Sequence, residues 1–439
     1  HHYSHSANTR KAVEYLFRAG RQAAARCAYA EAVSRLSSAL EFLKRLPGDA
    51  ERARTELSVQ SVLGGSLGVA KGYAAAELEP VYARARELCA QIRDPVLAFR
   101  PLFGQWVMRW WKLDMHEALQ LADELLTTAE DVKHPAMLLT GNAARGISLI
   151  DVGELVSGNE HLEKALAAFD LGQPLSTGLS GLEGWRATAF HFLYLGLFGL
   201  GYPDRAWAKS REMLEVAQRS SAPYILAQAS MSVAAHHLIR GDSTAARNCA
   251  EKAMALTEEL GLASFSAQAT ISHGAAQIAQ GRIEEGIAGM RRGLVDWGGT
   301  GGTPRPQDLF FLASGLGKAG RPQEGLQVVE EGFASIGKTG AQLCSSWLHH
   351  VKGELLLVQN PSDGANAELC FRTAIEIARR QSARSPELRA TTSLARLLAT
   401  QGRRDEARAM LAEIYDWFTE GFDTADLKDA RALLDELSS

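Results

Sequence analysis

The sequence is short of the features that mark several protein classes. Only 5 of its 439 residues are cysteine. They are Cys27, Cys89, Cys249, Cys344 and Cys370, scattered, odd in number and without a CxxC pair. That usage argues against a disulfide framework or a zinc site and fits a reducing cytoplasm. Proline is sparse, at 13, and stands mostly at segment ends. Long hydrophobic runs are missing. The longest, Ala189 to Tyr202, contains His191 and falls well short of the roughly 20 residues that span a bilayer. No secretory leader pattern opens the chain. Instead it begins on His1 in mid-pattern, as a fragment without its N-terminal partner domain would. Charge of one sign is also absent. Lys plus Arg number 47 and Asp plus Glu 51, for a net charge of −4. A basic field for nucleic acid is therefore not expected. No sustained segment alternates apolar and polar residues as a half-buried strand would.

What is present is an ordinary apolar content, 46%, and many glycines, 40 in all. The glycines are periodic. Gly153, Gly201, Gly241, Gly281 and Gly320 are separated by 48, 40, 40 and 39 residues, and Gly402 follows after 82, two periods, with Asn360 in the slot between. Five residues after each glycine stands a small residue: Gly158, Ala206, Ala246, Gly286, Gly325 and Ala407. Seven before stand Gly146, Tyr194, Ala234, Gly274, Ala313 and Ala395, five of the six small.

Two antiparallel helices joined by a tight turn need small residues where their backbones cross. Glycine at the turn supplies the left-handed backbone. The half-period before each turn is helix A and the half after it is helix B. Blurred earlier units open helix B at Tyr29, near Glu79 and at His116. The pattern predicts an all-α solenoid, a tetratricopeptide-like right-handed superhelix of about ten helix pairs with a period near 40. The array is expected over 1–422, with loops at 172–184 and 298–306. A capping helix is expected over 423–439, apolar on the face carrying Leu427, Ala430, Leu433, Leu434 and Leu437.

Four segments narrow the likeness: Lys71-Gly72-Tyr73-Ala74-Ala75, Leu200-Gly201-Tyr202-Pro203-Asp204, Gly317 to Pro322, and Tyr415 to Leu427 (YDWFTEGFDTADL). Together they make the chain resemble the C-terminal tetratricopeptide-repeat region of bacterial adenylate/guanylate cyclase–AAA (STAND-like) ATPase fusion proteins. The resemblance implies a regulatory role in signalling. It places the catalytic residues of such proteins upstream, on none of these positions.

Three catalytic-looking motifs conflict with the repeat phase. Gly332 to Thr339 fits the phosphate-loop pattern G-x-x-x-x-G-K-[ST], with Lys338 and Thr339 as the implied nucleotide ligands. Gly332 falls where helix B packs, however, so the loop would close a helix, whose dipole repels phosphate. Gly315 to Gly320 fits G-x-G-x-x-G and Gly64 to Gly68 fits G-x-S-x-G, both without a preceding strand. The adjacent pairs His236-His237 and His349-His350 point about 100° apart on a helix and do not chelate. No catalytic residue, metal or cofactor is expected.

If the chain binds, A helices should line the concave face. Residues three, six, ten and thirteen before each turn supply His191, Phe198, Gln228, Met231, Gln268, Phe310, Ser314, His350, Arg389 and Arg396 as candidates, beside Leu195, Ile271 and Gln307. The aromatic cluster Trp106, Arg109 and Trp110 joins them as a possible binding wall. An apolar face with interspersed Gln, His and Arg suits a protein or peptide, including attached cyclase or ATPase domains. Membrane and nucleic acid are not expected partners. The leading expectation is a non-catalytic interaction and regulatory scaffold. A small-molecule sensor of a STAND-type regulator is the alternative, and an NTPase acting through 332–339 a minor one.

Overall fold

The computed structural model describes residues 9–170, 183–220 and 222–438. Among them are 21 α-helices and no strand. The first three pairs are α1 (Thr9–Ala25) with α2 (Tyr29–Leu43), α3 (Ala50–Lys71) with α4 (Leu78–Ile92), and α5 (Pro95–Trp111) with α6 (Met115–Val132). Next come α7 (Pro135–Asp151) with α8 (Leu155–Asp170), α9 (Glu183–Gly199) with α10 (Pro203–Arg219), and α11 (Pro223–Arg240) with α12 (Ser243–Glu259). The following pairs are α13 (Ala263–Ala279) with α14 (Ile283–Gly299), and α15 (Pro306–Lys318) with α16 (Pro322–Thr339). Then α17 (Ser345–Gln359) pairs with α18 (Gly364–Arg380) and α19 (Arg384–Thr400) with α20 (Arg404–Tyr415), before the single α21 (Ala425–Ser438).

Local chemistry sets these boundaries. Proline occupies the first turn of α5, α7, α10, α11, α15 and α16, where its missing N–H costs nothing. Asp49, Asp94, Asp114 and Asp242 accept backbone N–H bonds at the starts of α3, α5, α6 and α12. All six turn glycines are left-handed, with φ from 70° at Gly320 to 93° at Gly241. The small residues flanking the turns are where backbones meet. A Cβ on Gly146 would lie 2.8 Å from the Gly158 carbonyl, and one on Gly274 would lie 2.7 Å from that of Gly286.

Three expectations change. Asn360 ends α17 but is extended, φ −147°, with its side-chain oxygen accepting from Ser362 N–H, so it does not substitute for a turn glycine. The loop expected at 298–306 is shorter, because α14 runs on through Gly299 and α15 starts at Pro306. Thr300 closes α14 by donating to the Trp297 carbonyl at 2.8 Å, and Trp297 is itself buried. The loop expected at 172–184 lies largely outside the described residues, and its last two residues open α9.

The array winds tightly. Helix α3 of the second pair touches α13 of the seventh, and α9 of the fifth touches α19 of the tenth. Hydrogen bonds tie the windings together. Leu343 N–H donates to the Asp151 carbonyl at 3.0 Å, the Ser385 hydroxyl to that of Phe198 at 2.6 Å, and the Thr303 hydroxyl to that of Lys112 at 3.2 Å. The connection from α20 to α21 also reaches back. The Glu420 carboxylate accepts from the N–H groups of Asp204 and Arg205 at 2.9 and 3.0 Å, satisfying the free donors at the start of α10. Gly421 N–H donates to Asp204, Asp423 pairs with Arg240 at 2.9 Å, and Trp417 lies on Gly201. Two of the segments that carry the family resemblance, Leu200–Asp204 and Tyr415–Leu427, are therefore two halves of one contact. Helix α21 buries Leu427, Ala430, Leu433 and Leu437.

Candidate functional site

Because units five apart touch, the A-helix face does not form an open trough. In the middle of the array it forms a partly open cavity of about 130 Å³. Six A helices contribute walls: α5, α7, α9, α11, α13 and α15. The loop carrying Arg305 and the segment Ala341 to Cys344 supply the rest.

Eight of the sequence candidates come together there: Trp110, His191, Leu195, Gln228, Met231, Gln268, Ile271 and Gln307. The Trp110 indole N–H donates to Asp151 Oδ2 at 2.6 Å, and the Arg305 guanidinium lies 4.8 Å from the Trp110 ring centroid. Gln228 donates to the Thr188 hydroxyl at 2.7 Å. Burial raises the Asp151 pKa, with Arg305 and the indole N–H opposing it. Burial also pushes the Asp308 carboxyl up to about 6, again against Arg305.

His191 opens onto the cavity and leads inward. Its Nδ1 is 2.8 Å from His236 Nε2, and His236 Nδ1 is 2.8 Å from the Ser210 hydroxyl. The His236 ring lies 3.6 Å from the Tyr194 ring centroid, nearly parallel. Ser210 and His236 are buried, so this chain of nitrogens and hydroxyls orders the core and offers no exposed nucleophile. Burial first, and then the Arg305 charge, lowers the His191 pKa to about 3. Burial first, and then His191 and His237, lowers that of His236.

A prediction follows from linkage. Both imidazoles are neutral when folded but charge below about pH 6.5 when unfolded. Their stabilisation is full above that pH and is lost as pH falls toward the folded value. Between pH 7 and pH 5 the His191 share alone is about 2 kcal/mol. Urea midpoints at the two pH values should show the drop, and His191→Gln should shrink it. An unchanged drop in the variant would remove His191 from the explanation.

The remaining candidates are placed elsewhere. Trp106, Phe198, Phe310 and His350 are buried and present no surface, because the close winding packs their faces against neighbouring helices. Trp106 donates to the Ser148 hydroxyl at 3.0 Å, and His350 Nε2 lies 2.9 Å from Ser393 Oγ. Arg109 points away from the cavity and pairs with Glu79 at 2.7 Å and Glu117 at 2.9 Å. Arg389 and Arg396 hold α21 through Asp426 at 2.7 Å and Asp429 at 2.5 Å. Ser314 and Arg396 also border a second, more open hollow of about 560 Å³ between α15, α17 and α19.

Sequence reasoning passed over Asp151, Arg305 and Asp308. A signal for one existed: Arg305 is the only charged residue between Gly298 and Pro306.

The catalytic-looking motifs are helical. Gly332 to Thr339 forms the last turns of α16, with Gly332 buried against Leu348 and Lys338 exposed. Gly64 to Gly68 lies inside α3, where Tyr82 and Tyr73 cover Gly64 and Gly68. Gly315 to Gly320 ends α15 and turns into α16. Among the described residues no group of three His, Cys, Asp or Glu could hold a metal, and no helix is long and apolar enough to cross a membrane.

No known protein-family profile matches the sequence, and no curated protein does. Solved structures do match. A Rap protein complexed with competence and sporulation factor aligns at 14% identity over 84% of this chain and 98% of its own, with a TM-score of 0.60. The Rap conjugation gene regulator of a plasmid, in complex with the Phr* peptide, aligns at 11% over 88% and 96%, with a TM-score of 0.49. A STAND signal-transduction ATPase with a tetratricopeptide repeat sensor, from Pyrococcus horikoshii, aligns at 13% over 92% and 66%, with a TM-score of 0.39. At such identities the likeness concerns the fold alone, and the first of these matches establishes it as a tetratricopeptide-like helical solenoid.

Proposed function

We propose that the chain is a non-catalytic regulatory scaffold that reads a small ligand in its central cavity and passes occupancy on to partner domains. The partly open, partly polar cavity at the centre of the winding carries this reading. A ligand there would bridge six helix pairs, so binding would change the rigidity of the whole array. The sequence resemblance supports attached cyclase and ATPase domains as the receivers, in the cytoplasm. In this reading residues 1–422 are the repeat array and 423–439 its cap.

The test has two parts. In a metabolite thermal-shift screen, a true ligand raises the melting temperature in proportion to RT ln(1 + [L]/Kd). Pull-down and cyclase assays with the upstream domains then read transmission. A blank screen together with no binding and no effect on cyclase activity would reject the proposal.

A second reading concerns the hollow between α15, α17 and α19. Its lining mixes Val351, Leu355 and Leu397 with Lys318, Glu354 and Arg396, and Val358 beside it is 51% exposed. That mixture supports docking of a peptide or a helix from a partner protein.

A further inference from the structure

We propose that the central cavity binds a free α-amino acid, with its carboxylate on the Arg305 guanidinium, its ammonium on the Asp308 carboxylate and its side chain against the aromatic wall. The inference rests on the cavity being the recognition element and names what it recognises.

Size comes first. An apolar protein cavity of about 150 Å³ holds one benzene molecule. A space of about 130 Å³ is of the same order, so its buried part holds a group of roughly six non-hydrogen atoms. A free amino acid fits the buried part, and a longer side chain would extend through the opening.

Charge comes second. Among the described residues, the charged ones lining the cavity are Arg305, Asp151 and Asp308. A ligand of one sign would meet a like charge beside its own partner, but a zwitterion satisfies both. Arg305 is placed to give: its ion-pair contact, with Asp151 Oδ2, is 3.9 Å, too long for a hydrogen bond. The guanidinium lies 4.8 Å from the Trp110 ring centroid, and a guanidinium offers a paired set of donors to a carboxylate. Asp151 is already engaged by the Trp110 indole N–H, which leaves Asp308 as the acceptor for ammonium. The Asp308 carboxyl, raised to about 6, is ionised at neutral pH.

The remaining wall agrees. Trp111, Phe192, Phe265 and Ile271 offer an apolar surface for a side chain. The Trp111 indole N–H is buried without a hydrogen-bond partner in the protein. Gln268 and Gln307, 39 positions apart in equivalent repeats, add carboxamides that both donate and accept.

The test is calorimetric titration of the full chain with the twenty common L-amino acids. For the best of them, its decarboxylated amine and its deaminated acid are titrated in parallel. The expected result is saturable binding by one or a few small apolar or hydroxylated amino acids, with both analogues weaker by at least about 30-fold. Arg305→Met should lose about 100-fold or more with its circular dichroism unchanged. Should that variant not fold, Gln268→Met should still lose about 10-fold. Equal binding of the amine or the acid would overturn the zwitterion assignment, and so would no amino acid binding at millimolar concentration. A different metabolite binding in their place would overturn this inference and leave the sensor reading intact, while a blank for every small molecule would remove both.

Discussion

Replacing Gly286 by valine is expected to unfold the middle of the array. Gly286 sits where α13 and α14 cross, and a Cβ there would lie 2.5 Å from the Gly274 carbonyl oxygen and 2.8 Å from Ile278 N. Both obstacles are main chain, so no rotamer change relieves them. The two helices would have to separate and the buried surface between them would open. Overpacking of this kind costs at least about 3 kcal/mol. The natural control is Gly337, a helical glycine whose Cβ would meet nothing within 4 Å. Gly337→Ala should stabilise α16 by about 0.5–1 kcal/mol. Thermal melts of the two variants should therefore move in opposite directions. A native melting temperature for Gly286→Val would dismiss the close-crossing account of the periodic glycines. The same control bears on the phosphate-loop pattern, in which Gly337 precedes Lys338. A working loop would lose nucleotide on Gly337→Ala, whereas a structural helix gains stability.

Trp106→Ala should be the most costly change in the aromatic cluster. The side chain is fully buried, lies near-parallel to Trp110 with ring centroids 5.9 Å apart, and donates to Ser148, itself fully buried. Truncation leaves a large void and an unpartnered hydroxyl, with an expected loss of about 3–5 kcal/mol. A long array does not have to unfold in one step, so the readout is hydrogen exchange over α5 to α8 rather than a single midpoint. Arg109→Ala, three residues on, should cost about 1 kcal/mol or less, because its ion pairs lie toward solvent. Comparable costs for the two variants would mean that the cluster is a surface and not a core.

The repeat was legible wherever glycine marks the turn. It blurred toward the N-terminus because Cys27 and Leu113 hold the same left-handed place, at φ 60° and 59°, without glycine's signature. Leu113 stands 40 before Gly153, in phase, yet a leucine there reads as an ordinary apolar residue. Helix-pair packing is local, so its small residues recur at short offsets that a single sequence displays. The closure of the winding is not local. It depends on small rotations summed over five units, and no residue type records that sum. For this reason Phe198 and Phe310 read as concave surface and stand in the core, while Arg305, in a glycine-rich loop, faces the cavity.

Glu420 satisfies the start of α10 from 216 positions away in the chain. During synthesis at about 5–20 residues per second, α10 would emerge roughly 10–45 s before its cap exists. In that interval the α10 amide donors and the bare surface of Gly201 face solvent or a chaperone. A truncated or stalled chain ending before residue 420 would expose this same surface permanently and offer quality-control proteases their entry point.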